Sequence, residues 1–194
     1  MLALAPGPDI IFVLTQSALY GMRAGVATTL GLISGLCFHT TIVAVGVAGI
    51  FMTSPLAFTL LTVVGAAYLL YLAWLSFRAG ASMAHLQESR FPGLLGPVPP
   101  RVIMNITNPK VTLFFLAFLP QFCAPERGSV ALQVMELGLL FMLAAFLVFT
   151  AVSALGGRLA HWFNSSPRGQ MLMHRVAGLV FVVLAVMLIF SCVA

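Results

Sequence analysis

The chain has 194 residues, 61% of them hydrophobic and only 7% charged, with a mean hydropathy of +1.12. About a quarter of the residues of a water-soluble domain are charged; nine Lys and Arg with four Asp and Glu cannot coat a globule of this size, so lipid must be the solvent for most of its surface. The net charge of +5 does not mark a nucleic-acid partner, because the basic residues stand singly at the ends of apolar runs instead of clustering on one face.

The apolar stretches are long and do not alternate, which argues against a β-barrel and predicts an all-α integral membrane protein with six transmembrane helices. The first is expected over residues 2–20, followed by a turn at Gly21-Met22-Arg23. The second spans residues 25–51 and stops at Ser54-Pro55. The third covers 56–77 and ends at Arg78. A polar stretch, 79–101, holds His85, Gln87, Glu88 and Arg90 and is rich in proline. The fourth helix, 102–122, is interrupted at Asn108-Pro109. Pro125-Glu126-Arg127-Gly128 turns the chain into the fifth, 129–155, and a second polar stretch, 156–170, leads to the sixth, 171–193. No cleavable signal peptide is expected: Ala3-Leu4-Ala5 has the form of a cleavage site, but no basic and apolar segment precedes it.

The loops after helices one, three and five carry Arg23, then Arg78, Arg90 and Arg101, then Arg158, Arg168 and Arg175, whereas the other side carries only Arg127. Positive charge stays inside, so both termini are expected outside. Residues 1–194 read as one transporter-like domain: a first repeat over 1–78, a cytoplasmic loop over 79–101 and a second repeat over 102–194. Pro8-Asp9-Ile10-Ile11-Phe12 opens one half and Pro109-Lys110-Val111-Thr112-Leu113 the other, each a proline, one charge and an apolar run. Two tandem repeats of three helices must be inverted relative to each other, a plan common among secondary transporters.

Two segments break membrane rules. Pro6-Gly7-Pro8-Asp9 removes backbone donors and loosens the chain. Asn108-Pro109-Lys110 does the same to the fourth helix and holds the chain's one lysine. A charge at the bilayer centre costs about 2.5–3.5 kcal/mol on insertion scales, and two such charges at matching places imply a purpose. Broken helices expose backbone groups, and the starts of the following half-helices attract a carboxylate. Asp9 suits an ammonium or a proton and Lys110 a carboxylate, so an amino-acid-like zwitterion fits. The structural alternatives are that Asp9 caps the first helix and that Lys110 snorkels to a headgroup.

Helical spacing places Gln16 on the face of Asp9, and Phe114, Ala117 and Gln121 on one side from Lys110; Gln16 and Gln121 either line a path or sit at the interface. The second helix carries Gly31-x-x-x-Gly35, a pattern that lets helices approach closely, and His39 on the same broad side, either a proton relay or a packed core histidine. Cys37, Cys123 and Cys192 are far apart and form no CxxC pair, so no metal site is expected. Without a P-loop, GxGxxG, HExxH or nucleophile–base set, no cofactor and no enzyme activity are expected. A structural or assembly subunit of a membrane complex is the competing class, but it leaves the paired charged breaks unexplained. The glycine-rich faces allow a homodimer without requiring one.

Ala5-Pro6-Gly7-Pro8-Asp9, followed by Gly21, Gly25, Gly31 and Gly35, resembles the start of the LysE/RhtB family of amino-acid exporters. Asn108-Pro109-Lys110 with the run from Leu113 to Phe122 is similar to that family's central signature, and Gly65-Ala66-Ala67-Tyr68-Leu69 to its third helix. The resemblance implies a six-helix inner-membrane protein that exports amino acids or related small metabolites, driven by proton antiport, with both proline segments at its functional core. Family members usually carry more apolar residues ahead of the first motif; here residues 1–5 precede it, which leaves a first helix barely long enough to span.

Overall fold

The computed structural model describes residues 7–53, 55–79, 99–156, 158 and 166–193; among them it is helical, with no strand. The helices are α1 (Pro8–Tyr20), α2 (Met22–Thr53), α3 (Pro55–Arg78), α4 (Pro99–Ile106), α5 (Pro109–Phe122), α6 (Val130–Ala154) and α7 (Pro167–Val193). Four of them, α2, α3, α6 and α7, are long and apolar enough to cross a membrane. Of the remaining two expected crossings, the first is described only from Gly7 onward and the fourth is divided. At about 1.5 Å per residue, the 13 residues of α1 reach about 20 Å, short of the roughly 30 Å hydrocarbon core. The fourth is divided at Thr107-Asn108 into α4 and α5, as the proline after Asn108 predicts. Residues 1–6 and most of the polar stretches lie outside the described residues.

Inside and outside are inverted relative to a soluble protein. Leu139, Leu140, Leu143 and Leu147 of α6 and Leu60, Val63, Val64 and Trp74 of α3 are exposed, while Asp9, Gln16, His39, Asn105 and Asn108 are buried. An apolar surface this continuous needs lipid around it. Several hydroxyls within the helices bond back along them: Thr28 to the Ala24 carbonyl, Thr29 to Gly25, Thr40 to Leu36 and Ser153 to Phe149, at 2.7–2.9 Å. With no water to take such groups, internal satisfaction is the available solution.

Packing is set by small residues. Gly21, at φ 86°, lets α1 turn directly into α2. Ser17 of α1 lies against Gly25 of α2 and Gly156 after α6. Thr40 of α2 lies against Gly138 of α6, and Ala117 of α5 against Gly65 of α3. The most extensive pairings are α3 with α7 and α2 with α6. At the centre, Val13, Phe115 and Val134 are fully buried, and Phe114, Phe115, Phe118 and Phe141 pack with ring centroids 5.0–5.9 Å apart, Phe114 stacked on Phe118 and Phe115 edge-on to Phe114 and Phe141.

Candidate functional site

The break between α4 and α5 is built around one side chain. Asn108 is extended (φ −75°, ψ 105°), so the helix cannot continue through it, and Pro109 takes the first position of α5, where a missing N–H costs nothing. The Asn108 Oδ1 accepts from the Lys110 backbone N–H at 3.1 Å and caps the new helix. The Asn108 carbonyl accepts the Val111 and Thr112 backbone N–H groups and the Thr112 Oγ1, all at 3.1 Å, as the first acceptor of α5. The start of α1 has the same form without the side chain: Gly7 is extended, Pro8 is first and Asp9 second.

These two starts meet. Asp9 is buried, and both its carboxylate oxygens accept amide N–H groups: Oδ1 from Asn108 Nδ2 at 3.1 Å and Oδ2 from Asn105 Nδ2 at 2.9 Å. Asn105 lies in the last turn of α4 and Asn108 caps α5, so the carboxylate bridges both sides of the break. Hydrogen bonds to an ionised group are worth about 1.5–3 kcal/mol each, enough to make this bridge the main polar tie between α1 and the broken helix. No side chain caps α1, and Asp9 is directed into the bundle; the capping alternative does not hold.

His39 enters the same network by another route. Its Nε2 is 3.2 Å from the Asn105 carbonyl; a carbonyl only accepts, so Nε2 carries the proton. The ring lies 5.8 Å from that of Phe115. The Gly31-x-x-x-Gly35 pattern is the seat of α4. A Cβ at Gly31 would stand 2.7 Å from the Arg101 Cβ, and one at Gly35 2.7 Å from the Asn105 Cβ. Gly31, Gly35 and His39 thus form one stripe of α2, on which Arg101 and Asn105 of α4 rest. Arg101 is buried there with its stem across Gly31, and α4 begins at Pro99, slightly ahead of the expected start at 102.

The remaining expected site residues are distributed elsewhere. Gln16 is buried but lies seven residues from Asp9, about 10 Å along α1, beyond hydrogen-bonding reach. Gln121 lies at the far end of α5, roughly 16 Å from Lys110, and donates to Thr62 Oγ1 of α3 at 3.0 Å. The middle of α5 is a π turn over Phe114–Phe118 and its end is 3₁₀ over Leu119–Phe122; a face read at 3.6 residues per turn drifts through such a segment. Pro6 lies outside the described residues.

Lys110 lines a cleft of about 320 Å³ between the starts of α1 and α5 and helices α3 and α7, within the size range of small-molecule sites. Gly7, Pro8, Asn108 and Pro109 form one wall, and Tyr68, Ser76 and His174 add polar groups from α3 and α7. The Lys110 Nζ is 5.8 Å from the Phe181 ring centroid. Asp9 is not among the lining residues. Sequence reasoning missed Asn105, although its three-residue spacing from Asn108 places both on one helical face. It also missed Ser76 and His174, which only the packing of α3 on α7 brings to the cleft. Among the described residues no three His, Cys, Asp or Glu side chains gather as metal ligands would.

These features define a multi-pass helical membrane protein whose broken helices meet at a buried carboxylate beside an open cleft. Residues 1–191 match the family of LysE type translocators, and the chain belongs to that family. It is 34% identical over 190 residues to a homoserine/homoserine lactone efflux protein of Salmonella typhimurium, covering 97% of this chain and 90% of that protein. It is 30% identical to an uncharacterized membrane protein of Vibrio cholerae, over 92% of this chain and 86% of the other, and 30% identical to one of Bacillus subtilis, over 94% and 90%. No solved structure gives a significant match.

Proposed function

We propose that this chain is a secondary transporter that exports amino acids or related small metabolites across the bacterial inner membrane by proton antiport. The observation that carries the proposal is the meeting of two proline-started half-helices at Asp9 and Asn108, beside a cleft that holds Lys110. A scaffold has no use for a buried carboxylate tied across a break in a neighbouring helix. A transporter does, because a proton on Asp9 would remove an acceptor for one of the two amides and loosen the joint between α4 and α5. The names of the Salmonella relatives support a substrate of the homoserine kind.

The same proposal has six crossings in two inverted repeats, residues 1–78 and 102–194, with both termini outside. The pairing of α2 with α6 and of α3 with α7 is what an inverted two-fold relation would produce, since each pairs an element with its counterpart. On the positive-inside orientation, the end of α3 at Arg78 and the start of α7 at Arg168 and Arg175 face the cytoplasm. Ser76 and Ala79 near the end of α3 and His174 near the start of α7 line the cleft, which on that orientation sets this side of it toward the cytoplasm. On the opposite side, the Gln121–Thr62 bond and the Ala117–Gly65 contact hold α5 against α3.

Counterflow in proteoliposomes tests this. Liposomes holding the purified chain and loaded with unlabelled L-homoserine or another panel amino acid should accumulate the labelled compound saturably. Exchange no faster than in protein-free liposomes, across the whole panel, would reject the reading.

A further inference from the structure

We propose that the outer face of α3, at its C-terminal end, is a seat for an anionic phospholipid. Arg78 holds the headgroup phosphate, and the glycerol backbone and upper acyl chains lie against Trp74 and Tyr71. This requires only the lipid-bathed surface already described and is independent of the transport reading.

Along its exposed side, α3 changes character with depth. Leu60, Val63 and Val64 are aliphatic and exposed. Tyr71 and Trp74 follow, 51% and 50% exposed, and Arg78 is exposed in the last turn. At about 1.5 Å per residue, Arg78 stands about 6 Å beyond Trp74 and about 10 Å beyond Tyr71. A leaflet changes in the same order, from acyl chains through the glycerol level, where Trp and Tyr gather, to the phosphates. The side chains are also in contact with one another. Tyr71 and Trp74 stack with ring centroids 6.2 Å apart, and the Arg78 guanidinium carbon lies 4.9 Å from the Trp74 ring centroid.

A cation over a ring face is attracted to it, so the ring steadies Arg78 at the level where phosphates lie. Among the described residues no ion pair or hydrogen bond joins the Arg78 side chain to a protein oxygen. The described acids belong elsewhere: Asp9 is buried in the bundle, Glu126 lies in the turn before α6 and Glu136 on α6. A guanidinium carries five N–H donors in a fork that matches phosphate oxygens, and such charge-assisted bonds are strong. A headgroup without a cation of its own fits best, because the ammonium of a zwitterionic headgroup would meet Arg78 as a like charge. Among the described residues the other cation over a ring is Lys110, against Phe181 in the cleft; the pairing on the outer surface is that of Arg78 with Trp74.

Trp74 is its own reporter. The chain has two tryptophans, and Trp162→Phe leaves Trp74 as the sole indole. That full chain is reconstituted in phosphatidylcholine vesicles. Its fluorescence is followed as phosphatidylglycerol brominated on its acyl chains replaces part of the host lipid, and separately with brominated phosphatidylcholine at the same mole fractions. Bromine quenches an indole that it touches. Phosphatidylglycerol should quench Trp74 at about fivefold lower mole fraction, the effect of about one cation near an anionic headgroup. On the same background, Arg78→Gln should abolish this preference and Arg78→Lys should keep part of it. Arg23→Gln, which removes a charge at the start of α2, should leave it unchanged. Unaltered quenching by brominated phosphatidylcholine checks that Trp74 still faces lipid in each variant. Equal quenching by the two lipids overturns the proposal. So does a preference that survives Arg78→Gln, or one that falls as far in Arg23→Gln, since the attraction would then be diffuse. Quenching by neither lipid means that a second copy of the chain covers this face, and overturns it too.

Discussion

The starts of α1 and α5 share one plan and put it to different uses. Each begins with an extended residue, then proline, then a charge in the second helical position. At α1 the charge is Asp9, which the partial positive charge of a helix N-terminus favours. It turns inward and is tied to two amides. At α5 the charge is Lys110, which the same field disfavours by about 0.3–1 kcal/mol, and it faces the cleft. The negative charge therefore serves the architecture of the joint, and the positive one sits against local electrostatics where a ligand can use it.

The difference is most severely tested by removing the inward charge. Asp9→Ala strands the Nδ2 groups of Asn105 and Asn108, at about 1–3 kcal/mol for each unsatisfied group. Thermal unfolding in detergent should begin at clearly lower temperature than for the unaltered chain, and an unchanged melting profile would mean that the joint does not depend on Asp9.

Asn108→Ser makes a finer cut. The shorter side chain keeps an oxygen for the cap of α5 but loses the amide that reaches Asp9, a hydrogen bond to a charged group worth about 1.5–3 kcal/mol. Exchange should fall by about tenfold or more, which is about 1.4 kcal/mol, while the melting temperature falls less than for Asp9→Ala. Equal damage in both variants would place the cap, not the carboxylate, at the heart of the joint.

Gly35→Ala acts on the seat of α4. A methyl group there meets Asn105 at 2.7 Å, so α4 must shift; overpacking of this kind costs about 1–3 kcal/mol, read as a lower melting temperature with slower exchange. The smallest effect is expected from His39→Phe, which keeps the ring beside Phe115 but drops the bond to the Asn105 carbonyl. About 1 kcal/mol of stability should be lost, with exchange reduced by less than in Asn108→Ser.

Much of this architecture is legible in the amino-acid sequence. Composition identifies the solvent as lipid, and Pro109 locates the break in the fourth helix, because a proline's ring and missing N–H act locally. Asp9 and Lys110 stand out because charges in apolar runs are costly. The partners of Asp9 are not legible. Asn105 and Asn108 lie about a hundred residues away in the chain, and nothing in local spacing says which way a carboxylate turns. Gln16 and Gln121 are expected on the faces of Asp9 and Lys110. Gln16 lies about 10 Å along α1 from Asp9, and Gln121 bonds to Thr62 beyond the π turn of α5. Tyr68, Ser76 and His174 meet only through tertiary packing, which helical periodicity cannot reach.

The central claim is that the Asp9 carboxylate, bridging the broken helix, is required for transport. Counterflow of labelled L-homoserine, or of whichever panel amino acid the unaltered chain exchanges, in proteoliposomes holding matched amounts of that chain or of Asp9→Asn tests it most directly. The substitution keeps size and shape and removes the charge. The account predicts exchange reduced by roughly a hundredfold, as expected when one of the two amides loses its acceptor and the other keeps only a neutral one, with the variant still inserted and monodisperse. Exchange at the unaltered rate in Asp9→Asn would contradict it.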